Sequence, residues 1–147
     1  MNQKTVTILL AEDDSDDRYL ISEALDESGV DNQLFIVENG EALLDYLKGR
    51  GSYKDRKKYP FPSLILLDLN MPLMDGREAL AELKKDPALK RIPIIVLTTS
   101  QADEDVQETY DLGITGFISK PMTFNGLVDV MKTVGNYWFQ SVILPSR

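Results

Sequence analysis

The sequence predicts an α/β fold in which helices cover both faces of one doubly wound, five-stranded parallel sheet. Five short apolar runs alternate with five amphipathic stretches along the 147 residues. Each run is apolar almost throughout, as expected of a parallel strand that is buried on both faces. The connections are short, and right-handed crossovers between such strands place the helices on both sides of the sheet.

The five predicted strands are rich in Ile, Val, Leu and Phe, which favour extended backbone within a sheet. They lie near residues 5–11, 33–37, 63–68, 93–97 and 115–118. Binding sites in open sheets of this kind form at the carboxyl ends of the strands, near the switch in strand order. The polar residues that fall at such ends are Glu12, Asp13, Asp68 and Thr98.

The helices are predicted from apolar residues spaced three or four apart. They cover residues 15–27, 41–47, 77–85, 101–111 and 123–140. In the first helix the predicted buried face carries Tyr19, Leu20, Ala24 and Leu25, and Gly29 is predicted to end the helix. The fourth helix is predicted from fewer apolar positions, namely Val106, Tyr110 and Leu112.

Composition excludes several classes of function. The chain has no Cys and no His, which excludes disulfides, thiol catalysis, Ser-His-Asp triads and His-ligated zinc. No apolar run approaches the roughly 20 residues of a membrane helix, and none resembles a secretory signal. A net charge of −8 argues against binding to duplex DNA. We therefore expect a single cytoplasmic domain over residues 1–147, without a membrane partner.

Acidic residues are concentrated directly behind the first predicted strand. Five carboxylates lie within residues 12–17: Glu12, Asp13, Asp14, Asp16 and Asp17. Such a density of like charge is costly unless the acids are solvated, cap a helix or share a cation. Asp68 ends the third apolar run in the same way. Carboxylate oxygens from two strand ends are ligands that suit Mg²⁺.

Residues 48–62 form a segment of opposite charge. Six basic residues lie there against Asp55 alone, so the segment carries +5 and the remaining residues −13. Two glycines and two prolines in the segment predict a loop. Two interpretations stay open: a solvated surface loop, which charge runs favour, or a docking element for an acidic or phosphorylated partner.

Four separated segments resemble the response-regulator receiver domains of two-component signalling. Residues 9–14 resemble the acidic pair of that family, residues 67–76 its phosphoacceptor loop, residues 96–100 the segment with its hydroxyl and residues 117–121 the segment with its aromatic residue and lysine. All four occur in the family's order. The resemblance implies the flavodoxin-like (CheY-like) strand order 2-1-3-4-5.

The resemblance also implies a chemistry. Asp68 would be the phosphoacceptor, attacking a phosphohistidine on a partner histidine kinase. Mg²⁺ would be held by Glu12, Asp13, Asp68 and the backbone carbonyl of Asn70. Lys120 would pair with Asp68 before the reaction and with the phosphoryl group afterwards. The chain would then be no ordinary enzyme, because it catalyses only its own phosphorylation and dephosphorylation.

Thr98, Thr99 and Phe117 are the residues that the resemblance assigns to phosphate binding and switching. The Thr98 hydroxyl would move towards a new phosphoryl group, and the Phe117 ring would fill the space it leaves. The alternative for Phe117 is a role in the core alone. Many receivers carry tyrosine at this position, and phenylalanine lacks its hydroxyl. We therefore expect no hydrogen bond from the ring of Phe117 when it is turned inward.

For several acids the sequence favours a structural role. Asp14, Asp16 and Asp17 lie where a helix begins, and carboxylates there are stabilised by capping and by the helix dipole. Only Glu12 and Asp13 of the acidic group are therefore taken as metal ligands. Asp75 is likewise interpreted as a turn and helix-cap residue.

The end of the chain is more apolar than a covering helix needs. Five residues at helical spacing already provide a predicted buried face: Phe124, Leu127, Val128, Met131 and Val134. The tail at residues 137–147 adds Tyr, Trp, Phe and aliphatic side chains. We expect a homodimer through the last helix and this tail, with core packing as the alternative.

The narrower resemblance is to stand-alone regulators paired with phytochrome kinases, and rests on the long basic loop and the aromatic tail. Three other functions compete with this interpretation. A phosphohydrolase would carry a second acid where Asn70 lies, and a flavin site would not place five acids in its phosphate loop. A receiver-shaped interaction module that is never phosphorylated remains the alternative.

Overall fold

The computed structural model describes residues 6–99 and 103–136, with the side chains of residues 103 and 104 excepted. Five strands form one parallel sheet: β1 (Val6–Ala11), β2 (Asn32–Val37), β3 (Leu64–Leu67), β4 (Ile94–Thr98) and β5 (Gly116–Ser119). Five helices alternate with them: α1 (Ser15–Ser28), α2 (Gly40–Lys48), α3 (Gly76–Lys85), α4 (Asp103–Asp111) and α5 (Phe124–Gly135). The strand order is 2-1-3-4-5, which confirms the predicted fold class.

Two hydrophobic clusters cover the two faces of the sheet, because successive side chains of a strand point to opposite faces. In β1, Leu9 and Ala11 belong to the cluster that includes α2 and α3. Ile8 and Leu10 belong to the other cluster, with residues of α1 and α5. Strands β3 and β4 are buried along their whole length. This explains why their sequences are apolar without alternation.

Strand register determines which loops meet at the carboxyl edge. Ala11 is paired with Leu67 across β1 and β3, so the residues that follow them, Glu12 and Asp68, lie side by side. Across β4 and β5, Thr98 is paired with Ser119. The amide of Lys120 donates to the Thr98 carbonyl at 2.8 Å.

Local signals predicted both ends of α1 and the cap at the start of α3. The Asp14 carboxylate accepts hydrogen bonds from the amides of Asp16 and Asp17, which makes it the N-cap of α1. Gly29 ends that helix with a φ of +80°, a left-handed conformation that glycine adopts without a steric penalty. Asp75 caps α3 by accepting from the Glu78 amide, as the sequence predicted.

The predicted buried faces of α1 and α4 needed correction at three residues. In α1, Tyr19 is 64% exposed and Leu20 is 39% exposed, whereas Ile21 is buried with Ala24 and Leu25. In α4, Tyr110 is exposed. Thr109 of this helix is buried instead, and its hydroxyl donates to the Asp105 carbonyl of the same helix at 2.8 Å.

The face predicted for the last helix is buried at four of its five positions, because Phe124 at its start is 40% exposed. The predicted end of this helix at residue 140 and the tail at 137–147 lie outside the described residues. None of the described helices is long and apolar enough to span a membrane.

The basic segment is folded against the domain rather than wholly solvated. The Arg56 guanidinium donates to the carbonyls of Tyr46 and Leu47, both at 2.7 Å, and so satisfies groups at the carboxyl end of α2. The buried Tyr46 donates its hydroxyl to the Pro60 carbonyl at 2.8 Å. A short 3-10 helix, Gly51–Tyr53, lies within the segment. The lysines are exposed, and a docking role for them stays a prediction.

Candidate functional site

Three carboxylates from two loops meet at the carboxyl edge of the sheet. Each of Glu12, Asp13 and Asp68 offers an oxygen within 4.8 Å of the others. The Glu12 side chain is 1% exposed and the Asp68 side chain 8% exposed, while Asp13 is exposed. The β1–β3 register produces this proximity, because it places the first residue after each strand next to the other.

The Asp68 carboxylate is held by hydrogen bonds on one oxygen. Its Oδ1 accepts from the Thr98 hydroxyl at 2.8 Å and from the backbone amide of Asn70 at 3.1 Å. The Asn70 side-chain amide also approaches the Thr98 hydroxyl, at 3.5 Å. The Thr98 hydroxyl is therefore in direct contact with the Asp68 carboxylate.

Lys120 brings a positive charge to the same place. Its ammonium lies 3.2 Å from Asp68 Oδ2, 2.8 Å from Asp17 Oδ2, and in direct contact with Glu12 Oε1. The lysine side chain is 10% exposed. One ammonium therefore forms ion pairs with three carboxylates, and the cluster keeps excess negative charge.

Burial and crowding change the proton affinities of these groups. Burial raises the pKa of Glu12 to about 7, and the nearby Asp68 carboxylate adds to the shift, although the hydrogen bond from Lys120 opposes it. Burial by itself would lower the pKa of Lys120. Hydrogen bonds to Asp17 and Glu12, with the charge of Asp68, outweigh that effect and raise it. The lysine is therefore charged throughout the physiological range.

The donor set fits a hard divalent cation. Three carboxylate oxygens within 4.8 Å of one another are the kind of ligand that Mg²⁺ prefers. The predicted ligands Glu12, Asp13 and Asp68 are thus brought together. For Asn70, the described contacts involve its backbone and side-chain amides, so its carbonyl as a ligand stays a prediction.

Two residues near the site were missed by sequence reasoning. Asp17 was interpreted as a helix-dipole acid, yet its carboxylate contacts Lys120. No local pattern indicated this contact, because it joins residues 103 positions apart. Arg18 donates to the backbone carbonyl of Asp13 at 2.9 Å and pairs with Glu38 at 3.0 Å. Arg18 thereby holds the backbone of the acidic loop close to α1.

The remaining predicted switch residues lie at different depths. Thr99 is exposed and lines a cleft of about 260 Å³, together with Asp17, Lys120 and apolar residues of α1 and α5. Phe117 is half-buried and packs against the hydrophobic cluster that includes α2 and α3. Their switching roles stay predictions.

Residues 8–132 match the family model described as the response regulator receiver domain. The chain is a member of the response-regulator receiver family. This receiver is 41% identical over 139 residues to the response regulator Rcp1 of Synechocystis sp., covering 95% of this chain and 92% of that protein. The chain is thus similar to a relative over almost the whole length of both.

Solved structures show the same likeness. The phosphorylated cyanobacterial phytochrome response regulator RcpA superposes on this receiver with a TM-score of 0.89 and 40% identity, covering 97% of this chain and all of that one. The Mn²⁺-bound form of Rcp1 gives a TM-score of 0.86 at 40% identity, covering 96% and 99% of the two chains. A divalent metal is therefore the cofactor that both the family and the acidic cluster of this receiver indicate.

The raised pKa of Glu12 predicts a pH-dependent stability. Its pKa of about 7 lies above the ordinary 4.5, so the folded chain binds more protons between these values. The contribution of this group to stability is full below pH 4.5 and is lost as the pH rises through 7. In EDTA, the free energy of unfolding of the native chain should fall by about 3 kcal/mol relative to that of Glu12→Gln as the pH rises over this range.

Urea unfolding of both proteins at several pH values from 4.5 to 8 measures this difference. Saturating Mg²⁺ should reduce the trend, because a cation favours the ionised carboxylate. A stability difference in EDTA that stays constant across the range would contradict the prediction.

Proposed function

We propose that the chain is a two-component response regulator that accepts a phosphoryl group on Asp68 from a phosphohistidine of a partner kinase. The observation that carries this proposal is the buried Asp68 carboxylate, which lies 3.2 Å from the Lys120 ammonium and within 4.8 Å of two further carboxylates suited to a metal. Phosphoryl transfer requires mainly alignment and neutralisation of charge. Both requirements are served by groups at this edge of the sheet.

In the transfer step, an Asp68 oxygen attacks phosphorus. The P–N bond breaks, and its electron pair returns to the imidazole of the kinase. Thr98 and the Asn70 amide orient the carboxylate through its Oδ1. Lys120 lies close enough to Asp68 to stabilise the negative charge first on the carboxylate and then on the phosphoryl oxygens. Mg²⁺, held by Glu12, Asp13, Asp68 and the Asn70 carbonyl, would supply neutralising charge.

Incubation with acetyl phosphate, followed by measurement of the intact mass, tests this proposal. We expect one phosphoryl adduct that requires Mg²⁺ and is absent from Asp68→Asn. Asp75→Asn is a matched control, because Asp75 caps α3 and should leave the adduct in place. An adduct on Asp68→Asn would indicate another acceptor. No adduct on the folded native chain would favour the interaction module that is not phosphorylated.

The partner is inferred from relatives. RcpA and other structural neighbours are phytochrome response regulators, and on this basis we propose a phytochrome-type histidine kinase as the phosphodonor. We also propose that residues 1–147 act as one receiver domain and that the output is a protein contact, without DNA binding. Hydrolysis of the aspartyl phosphate by the chain itself completes the proposed cycle.

We further propose a homodimer that uses α5 and the tail at residues 137–147. The exposed Phe124 at the start of α5 supports an apolar contact there. Light scattering at micromolar concentration should give twice the mass of 16.6 kDa, and deletion of residues 137–147 should return it to a monomer. A monomeric native chain, both before and after phosphorylation, would overturn this proposal.

A further inference from the structure

Asp17 makes a contact that the proposed phosphoryl transfer does not explain. Its Oδ2 lies 2.8 Å from the Lys120 ammonium, closer than Asp68 Oδ2 at 3.2 Å. Asp17 is outside the group of three carboxylates that lie near enough to hold one metal. Its side chain is 35% exposed, whereas those of Glu12 and Asp68 are almost fully buried.

The Lys120 ammonium and a divalent cation have conflicting requirements at Glu12. Lys120 contacts Glu12 Oε1 directly, and Glu12 is one of the three acids that fit a metal. Two cations on the same carboxylate repel each other, and the repulsion is stronger at a buried group such as Glu12 than in bulk water. Entry of the metal therefore requires Lys120 to give up much of its contact with Glu12.

Asp17 offers Lys120 another partner within its present reach. We propose that Asp17 is a positioning residue that holds the Lys120 ammonium when a divalent cation occupies Glu12, and so keeps the lysine beside Asp68. Without Asp17, the ammonium would remain on Glu12 and compete with the metal. The inference rests on the proposed function, because the lysine is kept beside Asp68 for phosphoryl transfer. The effect of Asp17 on metal binding can be measured without that transfer.

The geometry of α1 suits this role. Asp14 caps the helix, so Asp17 lies in its first turn, and its Oδ2 accepts from the Lys120 ammonium. Asp16 lies in the same turn, is exposed, and makes no ion pair among the described residues. It therefore provides a control that removes the same charge from the same turn without removing the contact.

Calorimetric titration of Mg²⁺ into the full chain at low salt and pH 7.5, without phosphodonor, tests the proposal. We expect Asp17→Asn and Asp17→Ala to weaken Mg²⁺ binding about five-fold, and Asp16→Asn to weaken it by less than about two-fold. In a Lys120→Met background, the effect of Asp17→Asn should fall to that of Asp16→Asn. Lys120→Gln is a second background, used where Lys120→Met does not fold.

Two results would overturn the inference. Equal effects of Asp17→Asn and Asp16→Asn on the native background would show only a general loss of negative charge. An effect of Asp17→Asn that is as large without Lys120 as with it would mean that Asp17 acts on the metal directly. Because no phosphoryl group is present, either result is distinct from a failure of Asp68 to become phosphorylated.

Discussion

Replacing Lys120 by Met is expected to slow phosphorylation of Asp68 about 100-fold, the loss typical of removing one charged donor from a developing oxyanion. The ammonium lies 3.2 Å from Asp68 Oδ2 in a side chain that is 10% exposed. Water is therefore poorly placed to replace it. Initial rates with acetyl phosphate and saturating Mg²⁺, measured by intact mass, give the size of the effect.

The same substitution should also lower stability. It removes the counter-ion of Glu12 and Asp68, which are both buried, and breaking a buried ion pair in this way costs about 3–5 kcal/mol. Urea unfolding in EDTA measures this loss, and Mg²⁺ should recover part of it because the cation replaces the missing charge.

A matched control is Lys57→Met, since Lys57 is exposed in the basic segment and the site's ion pairs involve Lys120 instead. It should change neither rate nor stability beyond experimental scatter. A Lys120→Met rate within three-fold of the native rate would show that the lysine contributes little to transfer.

Gly76→Ala is expected to destabilise the domain by about 3 kcal/mol and to displace the phosphoacceptor loop. A Cβ on Gly76 would lie 2.4 Å from the Asp68 carbonyl oxygen and 2.8 Å from the Cα of Leu69. Both atoms are backbone, so no side-chain rotation relieves the clash. The Gly76 amide also donates to the Leu69 carbonyl at 2.9 Å, and this bond would lengthen as α3 moves away.

Gly116→Ala is the control for this prediction. A Cβ there meets nothing within 4 Å, and alanine is favoured over glycine within a strand by roughly 0.5–1 kcal/mol. We expect unchanged or slightly higher stability for Gly116→Ala, with a normal phosphorylation rate. Equal stability of Gly76→Ala and the native chain in urea would show that α3 can move at little cost.

Local sequence patterns were sufficient for the secondary structure and most of the core. Apolar runs and helical spacing are properties of neighbouring residues, and the backbone conformation that they favour depends on the same neighbours. The caps at Asp14 and Asp75 were predicted for this reason, because a capping side chain bonds amides two or three residues away. Tyr19 and Leu20 were misassigned, since rotation of α1 about its axis is decided by packing against the sheet.

The candidate site was predictable in its parts but not in its contacts. The sequence by itself determined the strand–helix alternation, the acids after β1 and β3 and the absence of His and Cys chemistry. Only the tertiary structure decided that Lys120 contacts Asp17, 103 positions away, and that Arg56 closes the end of α2. Such contacts depend on strand register, helix rotation and loop path together, and no local pattern specifies these.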